Sequence, residues 1–415
     1  MTYQLAQELV SDKSEQHQHG DRDRHSLGPR ITESRPLNHA DFKDNHFVFN
    51  SPEGPNLTAT QAAELDDSYF QSRPFGYFSS RIATLSASGP IEKNVVATDV
   101  GPELAAALGQ TSISDLIDFN DSDRELQIAT DSFALRHHAA ESLVRLYHGL
   151  TIGITAQGSA PCVWAAVAEG PTRTIDLVDQ ARTHLMSPEG HQNFWRMVFP
   201  ETVASQHNQE HQANQALNVI GDWLHHAMTL LVRDDININA AHNKVKHGLS
   251  VRTRDDLRLT FTTQAPNADG TVPLSALTGD KAFDIFDTPT IDYLARPPRK
   301  GNRKQGLEVS SLKLAPATLL AETWMMSIAH AAMFHVAADR HFTGRGIPFQ
   351  PLPKLPLGPT PTQLLGESVV GMRHPVTTPP DGGPVERRAG IAFQSTFVPL
   401  EINFNSQMSG KVVEG

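Results

Sequence analysis

The sequence predicts a mainly α protein, a helical bundle with a peripheral β-rich insertion (α+β). Three observations predict it. Several long stretches repeat apolar residues at spacings of three and four, which gives a helix one buried face. After Gly248 that period changes to alternation, the mark of half-buried strands. Pro and Gly stand where the periodic stretches begin and end, as they do at helix termini.

Composition bounds the answer further. The chain has 415 residues, enough for two or more domains or one large core with elaborations. A hydrophobic content of 39 % leaves part of the chain outside any core. The formal net charge of -11 excludes a protein whose main task is wrapping nucleic acid, because phosphate binding needs a cationic surface. A local basic patch is compatible with that balance. Cys162 is the only cysteine, so no intrachain disulfide forms and the expected compartment is the reducing cytoplasm. The opening stretch MTYQLAQELVSDKSEQ lacks a basic n-region and a long apolar core, so no signal peptide is expected. No run approaches the ~18 apolar residues needed to cross a bilayer, so no membrane partner is expected.

Residues 1–60, rich in Gln, His, Asp, Arg and Ser, read as a disordered polar arm. The aromatic stretch Phe70 to Leu85 reads as a short strand or packed loop, and short helices follow at 102–108 and 112–119. A long helix is expected from Ser122 to His148, stopped by Gly149, with Leu126, Phe133, Ala140, Leu143, Val144 and Tyr147 on its apolar face. A buried helix over 160–169 holds Cys162 and Trp164, and another runs from Ile175 to Leu185. Ser187-Pro188-Glu189 starts a further helix, with Pro in the first turn. The next long helix spans about 209–233 and buries Trp223. Asp234-Asp235 caps the segment that follows, which Gly248 ends. Strands are expected around 257–261, 283–294 and 307–314, with a basic turn at 297–306. Pro316 opens the last long helix, to about Phe342. The bundle with its β-rich insertion at about 250–314 thus occupies 61–345. A Pro-rich segment and a terminal strand at 398–404 occupy 346–415, packed on the bundle.

Two polar stripes carry the candidate chemistry. On the first long helix His138, Glu141, Arg145 and His148 share a face, and His138, Glu141 and Arg145 are the candidate substrate-binding residues. The stripe reads either as a solvated face laced by ion pairs or as the wall of a pocket. The second stripe lies in DININAAHNKVKHG, residues 235–248. Asn239, Asn243 and His247 sit four apart, and His242 and Lys246 form a neighbouring pair. Imidazole and amide groups flanked by lysines suit contact with phosphate, and an imidazole moves protons near neutral pH.

The segment His242-Asn243-Lys244-Val245-Lys246-His247 resembles the signature of the HEPN superfamily, helical bundles that include many ribonucleases. The family motif is Arg, a polar residue that is often Asn, three further residues, then His. Asn243 matches the polar position and His247 the histidine, while His242 stands where the family has Arg. The resemblance implies a metal-independent endoribonuclease without cofactors. His247 would be the base, Asn243 would orient it, and Lys246 or His242 would stabilise the phosphorane. It also implies RNA or a nucleotide as ligand and a homodimer as the assembly. Many family members have lost activity and serve as binding or assembly modules. An imidazole in the Arg position holds phosphate only when protonated, and lacks the forked donors of a guanidinium.

Other readings stand beside this one. His247 and Lys246 also suit a plain helix end, where cations meet the last carbonyls. A non-catalytic scaffold would use the helical surface, with the Pro-rich segment as a site for a protein partner. A His/Glu metal site in the bundle has little sequence support, because the Glu-x-x-His pairs that build such sites are missing from the long helices. Walker-type loops, Gly-x-Ser-x-Gly elbows and dinucleotide fingerprints are also missing.

Overall fold

Two long helices run through the middle of the described residues from Asn56 onward, and other described helices pack around them. The computed structural model describes residues 56–87, 100–109, 121–153, 159–200, 210–247, 250–265, 267–269, 271–297, 306–377 and 387–400. The helices are α1 Ala59–Phe70, α2 Pro74–Ser86, α3 Val100–Ala107, α4 Asp121–Thr151, α5 Val163–Glu169 and α6 Thr174–Leu185, then α7 Pro188–Val198, α8 Glu210–Val232 and α9 Ile238–Lys246. Strands β1 Arg252–Arg254, β2 Leu259–Thr262, β3 Ala282–Phe286, β4 Thr290–Ala295 and β5 Glu308–Lys313 follow. Helix α10 Pro316–Phe342 and the short α11 Pro361–Leu365 lead to β6 Val369–Pro375, β7 Gly390–Phe393 and β8 Phe397–Pro399. The chain is mainly α with a β-rich part.

Helices α4 and α10 pack along each other, and α8, α2, α6 and α7 close around them. The apolar faces read from the sequence point inward. Phe133, Leu143 and Tyr147 of α4, Ile220 and Trp223 of α8, and Phe334 of α10 are fully buried in one core. Burial of each such side chain contributes about 1.5–3 kcal/mol. Trp324 of α10 stands 40 % exposed and packs its ring on Phe75. A buried charge cluster ties three helices together. Glu322 of α10 lies 3.3 Å from Arg136 of α4 and 2.8 Å from His226 of α8.

The aromatic stretch Phe70 to Leu85 is helical, not a strand or loop. A capping box between Thr58 and Gln61 starts α1, and Pro74 at the first position starts α2. Those start signals override the strand propensity of the aromatic residues. The first long helix does not stop at Gly149 but runs on to Thr151. Gly149 serves packing instead, because a Cβ there would lie 2.6 Å from Val167 Cγ2 on α5. Cys162 precedes α5 rather than lying inside it. Its sulfur accepts from the Ala165 N–H as the N-cap.

The six-stranded antiparallel sheet has the order β1-β4-β5-β6-β7-β8, and β2 pairs with β3 beside it. The expected strand at 283–294 is two strands, broken at 287–289. The segment after 346 contributes three strands to this sheet, not one terminal strand laid on the bundle. Register Leu312↔Gly371 joins the insertion to the C-terminal part, and Ile291, Leu312 and Ala392 enter the main core. The Pro-rich stretch lies along the bundle. His335 Nδ1 meets the Gln350 carbonyl at 2.8 Å, and Trp223 Nε1 donates to the Pro359 carbonyl at 2.9 Å. The expected arm up to Pro55, the helix at 112–119, Gly248, most of the basic turn and the chain after Leu400 lie outside the described residues. Among the described residues no helix is long and apolar enough to cross a membrane.

Candidate functional site

The motif helix α9 is placed by its own polar residues. Asp235 was the expected cap, but Arg233 grips its carboxylate at 2.6 and 2.7 Å. Asn237 caps instead, its side chain accepting from the Ala240 N–H at 3.0 Å. Tyr293 of β4 donates to the Asn237 carbonyl at 2.9 Å. Ile238 and Ala241, three apart, are buried and seat the helix against α4, α8 and β4.

This seating brings the two polar stripes together. A cavity of about 430 Å³ opens between α2, α4 and α9. Tyr77 and Arg81 line it from α2, and His138, Glu141, Ser142 and Arg145 from α4. His242, Val245 and Lys246 line it from α9. Within each helix these positions recur at spacings of three, four and seven, so each helix offers one face.

The cavity takes one half of the motif and leaves the other outside. His242 and Lys246 line it. Asn243 and His247 do not, and both are exposed. His247 is the C-cap residue of α9, and its backbone N–H donates to the Asn243 carbonyl at 2.9 Å. Asn239 turns to α4, where its Oδ1 meets His137 Nε2 at 3.1 Å. An amide oxygen only accepts, so that His137 nitrogen carries the proton. The His137 ring stacks on His242 with centroids 3.9 Å apart. His148 leaves the α4 stripe as well, because it is buried against Gln180 at 3.0 Å.

The electrostatics favour an anion. Glu141 and Arg145 form an i,i+4 pair at 2.8 Å, so the only carboxylate among the described residues lining the cavity has one oxygen already taken. Arg81 and Lys246 are exposed and pair with no carboxylate among the described residues. Three cations from three helices therefore face one carboxylate. The imidazoles add no charge near neutral pH. Burial pushes His242 down to about 4, with Lys246, His138 and Arg136 adding to the effect and Glu141 opposing it. Partial burial lowers His138 in the same way, against Glu141 and with Lys246 and Arg81. His137 lies well below the ordinary histidine value, first through burial, then through His242 and Arg136. The His138 ring has the edges of Tyr77 and Phe78 beside it, at 5.6 and 5.5 Å. Tyr77 itself is 47 % exposed and presents an aromatic ring at the cavity.

Sequence reasoning missed Tyr77 and Arg81. Their i,i+4 spacing was the available signal, and it carries meaning only once the stretch is known to be helical. Among the described residues, no group of three or more His, Cys, Asp or Glu is placed to share a metal ion. Comparison of the chain with known protein families, with characterised proteins and with solved structures gives no match.

Proposed function

We propose that this protein binds a phosphate-bearing nucleotide, free or as part of RNA, in the cavity between α2, α4 and α9. One observation carries the reading. Arg81, Arg145 and Lys246 converge from three helices on one concave site, in a chain whose net charge is -11. Guanidinium groups suit phosphate because their donors match its oxygens in pairs. Tyr77 and the neutral rings of His138 and His242 supply flat surfaces and hydrogen-bonding nitrogens for the rest of the ligand. The cavity volume falls within the ~300–1,000 Å³ of small-ligand sites.

The experiment is a titration of labelled adenosine monophosphate and of a short single-stranded RNA, followed by anisotropy. Arg81→Ala and Lys246→Ala each weaken binding about tenfold, the loss of one charge-assisted contact. Affinity that is the same in both variants as in the wild type rejects the site.

RNA cleavage is a rival proposal for the same cavity, and it requires an internal phosphodiester to bind there. A neutral His242 accepts the 2′-hydroxyl proton, the 2′ oxygen bonds to phosphorus, and the bond to the 5′ oxygen breaks. Lys246, beside it on the helix, returns a proton to the leaving oxygen. Activity then persists in EDTA, is lost in His242→Ala and survives in His247→Ala. Loss in His247→Ala with retention in His242→Ala would return the base to the position implied by the HEPN resemblance. The homodimer implied by that resemblance is a separate proposal, tested by sedimentation equilibrium. The competing proposal is a non-catalytic interaction protein, which an absence of nucleotide and RNA binding would favour.

A further inference from the structure

Resting on the reading of the cavity as a phosphate site, we infer that its ligand is a single nucleotide unit ending in a phosphomonoester, not an internal phosphodiester of a strand. Charge argues for this first. The three cations exceed the one carboxylate by two charges, and the imidazoles are neutral. A phosphomonoester carries ~1.5–2 negative charges at neutral pH and three free oxygens. A diester carries one charge and two free oxygens. Only the monoester matches the excess.

Geometry argues for it independently. Arg81, Arg145 and Lys246 come from three different helices, so they surround a group instead of tracking along a backbone. Sites that follow a strand are grooves with cations in series and several stacking rings. Here the site is one concavity of about 430 Å³, with the rings of Tyr77, His138 and His242 grouped on it instead of spread along a groove. Only one Glu141 oxygen is taken by Arg145. The other is available to accept from a sugar hydroxyl, which gives the carboxylate a place in an otherwise anion-binding site.

The test is calorimetry on the full chain with four ligands: adenosine monophosphate, its methyl phosphodiester, adenosine, and inorganic phosphate. A short RNA with a terminal phosphate, against the same RNA with a terminal hydroxyl, separates a free nucleotide from a strand end. The monoester should bind about tenfold tighter than its methyl diester, the effect of one charge-assisted contact. That preference should shrink in Arg81→Ala and in Lys246→Ala, whose exposed side chains can be removed without disturbing the core. A diester that binds as tightly as the monoester overturns the inference and leaves the phosphate site standing. Inorganic phosphate binding as tightly as the nucleotide overturns the nucleotide assignment. No binding by any of the ligands overturns both this inference and the function on which it rests.

Discussion

In the proposed resemblance to the HEPN signature His242 stands at the arginine position, and its surroundings decide what it can do there. A pKa of about 4 keeps the ring neutral near pH 7, so it cannot hold a phosphate by charge. Arg81 and Arg145 offer the guanidinium groups instead, from helices remote in sequence. The same burial links these rings to stability. The folded pKa values of His137, His138, His242, His330 and His374 are all lowered, chiefly by burial. Below the ordinary value near 6.5 the unfolded chain takes up protons that the folded chain refuses, so stability falls as pH is lowered from about 6.5 to about 4. For the fully buried His330, pushed down to about 4, the loss is on the order of 3 kcal/mol. Glu322, lowered by Arg136 and His226 against its burial, adds a loss at lower pH, while Glu308, raised by burial, works the other way. Urea denaturation across this range checks the sign. A midpoint that rises on acidification contradicts it.

Helix positions show what a local pattern conveys and what it does not. The buried faces of α4 and α8 were legible because burial on one side leaves a period near 3.6 in the sequence. The function of Gly149 was not. A glycine after an apolar run reads as a stop, yet here it lets α5 approach α4. Gly149→Ala should therefore destabilise the protein by about 1–3 kcal/mol through the clash with Val167, despite alanine's better helix propensity. A thermal melt that moves upward would show that α5 yields easily. Likewise Asp234-Asp235 reads as the cap of α9, and only the structure shows Asp235 held by Arg233 and Asn237 capping instead. Asn237→Ala should cost about 1 kcal/mol and weaken nucleotide binding with it, because the cap positions His242 and Lys246. Glu322→Ala leaves Arg136 buried without its partner and should cost about 3–5 kcal/mol. Equilibrium unfolding measures both.

The whole chain depends on pairings that no local period reports. Strands β6 and β7 carry Gly371 and Gly390, and β7 has only 4 residues, so they lack the alternation that marked 257–261. Their partners are set by distant segments, as in the Leu312↔Gly371 register. The adjacency of α4 and α9 was hidden in the same way. Each stripe was visible alone, while the cavity between them, and the contribution of α2 to it, belongs to the tertiary structure. Removal of residues 366–400 should leave β5 without its neighbour, expose Leu312 and abolish a single cooperative unfolding transition. The proposed ligand meets the face of α9 that carries His242 and Lys246. Imidazole resonances followed by NMR during a titration with adenosine monophosphate test it directly. His138 and His242 should shift while His247 stays unmoved. Shifts at His247 with none at His138 or His242 would contradict it.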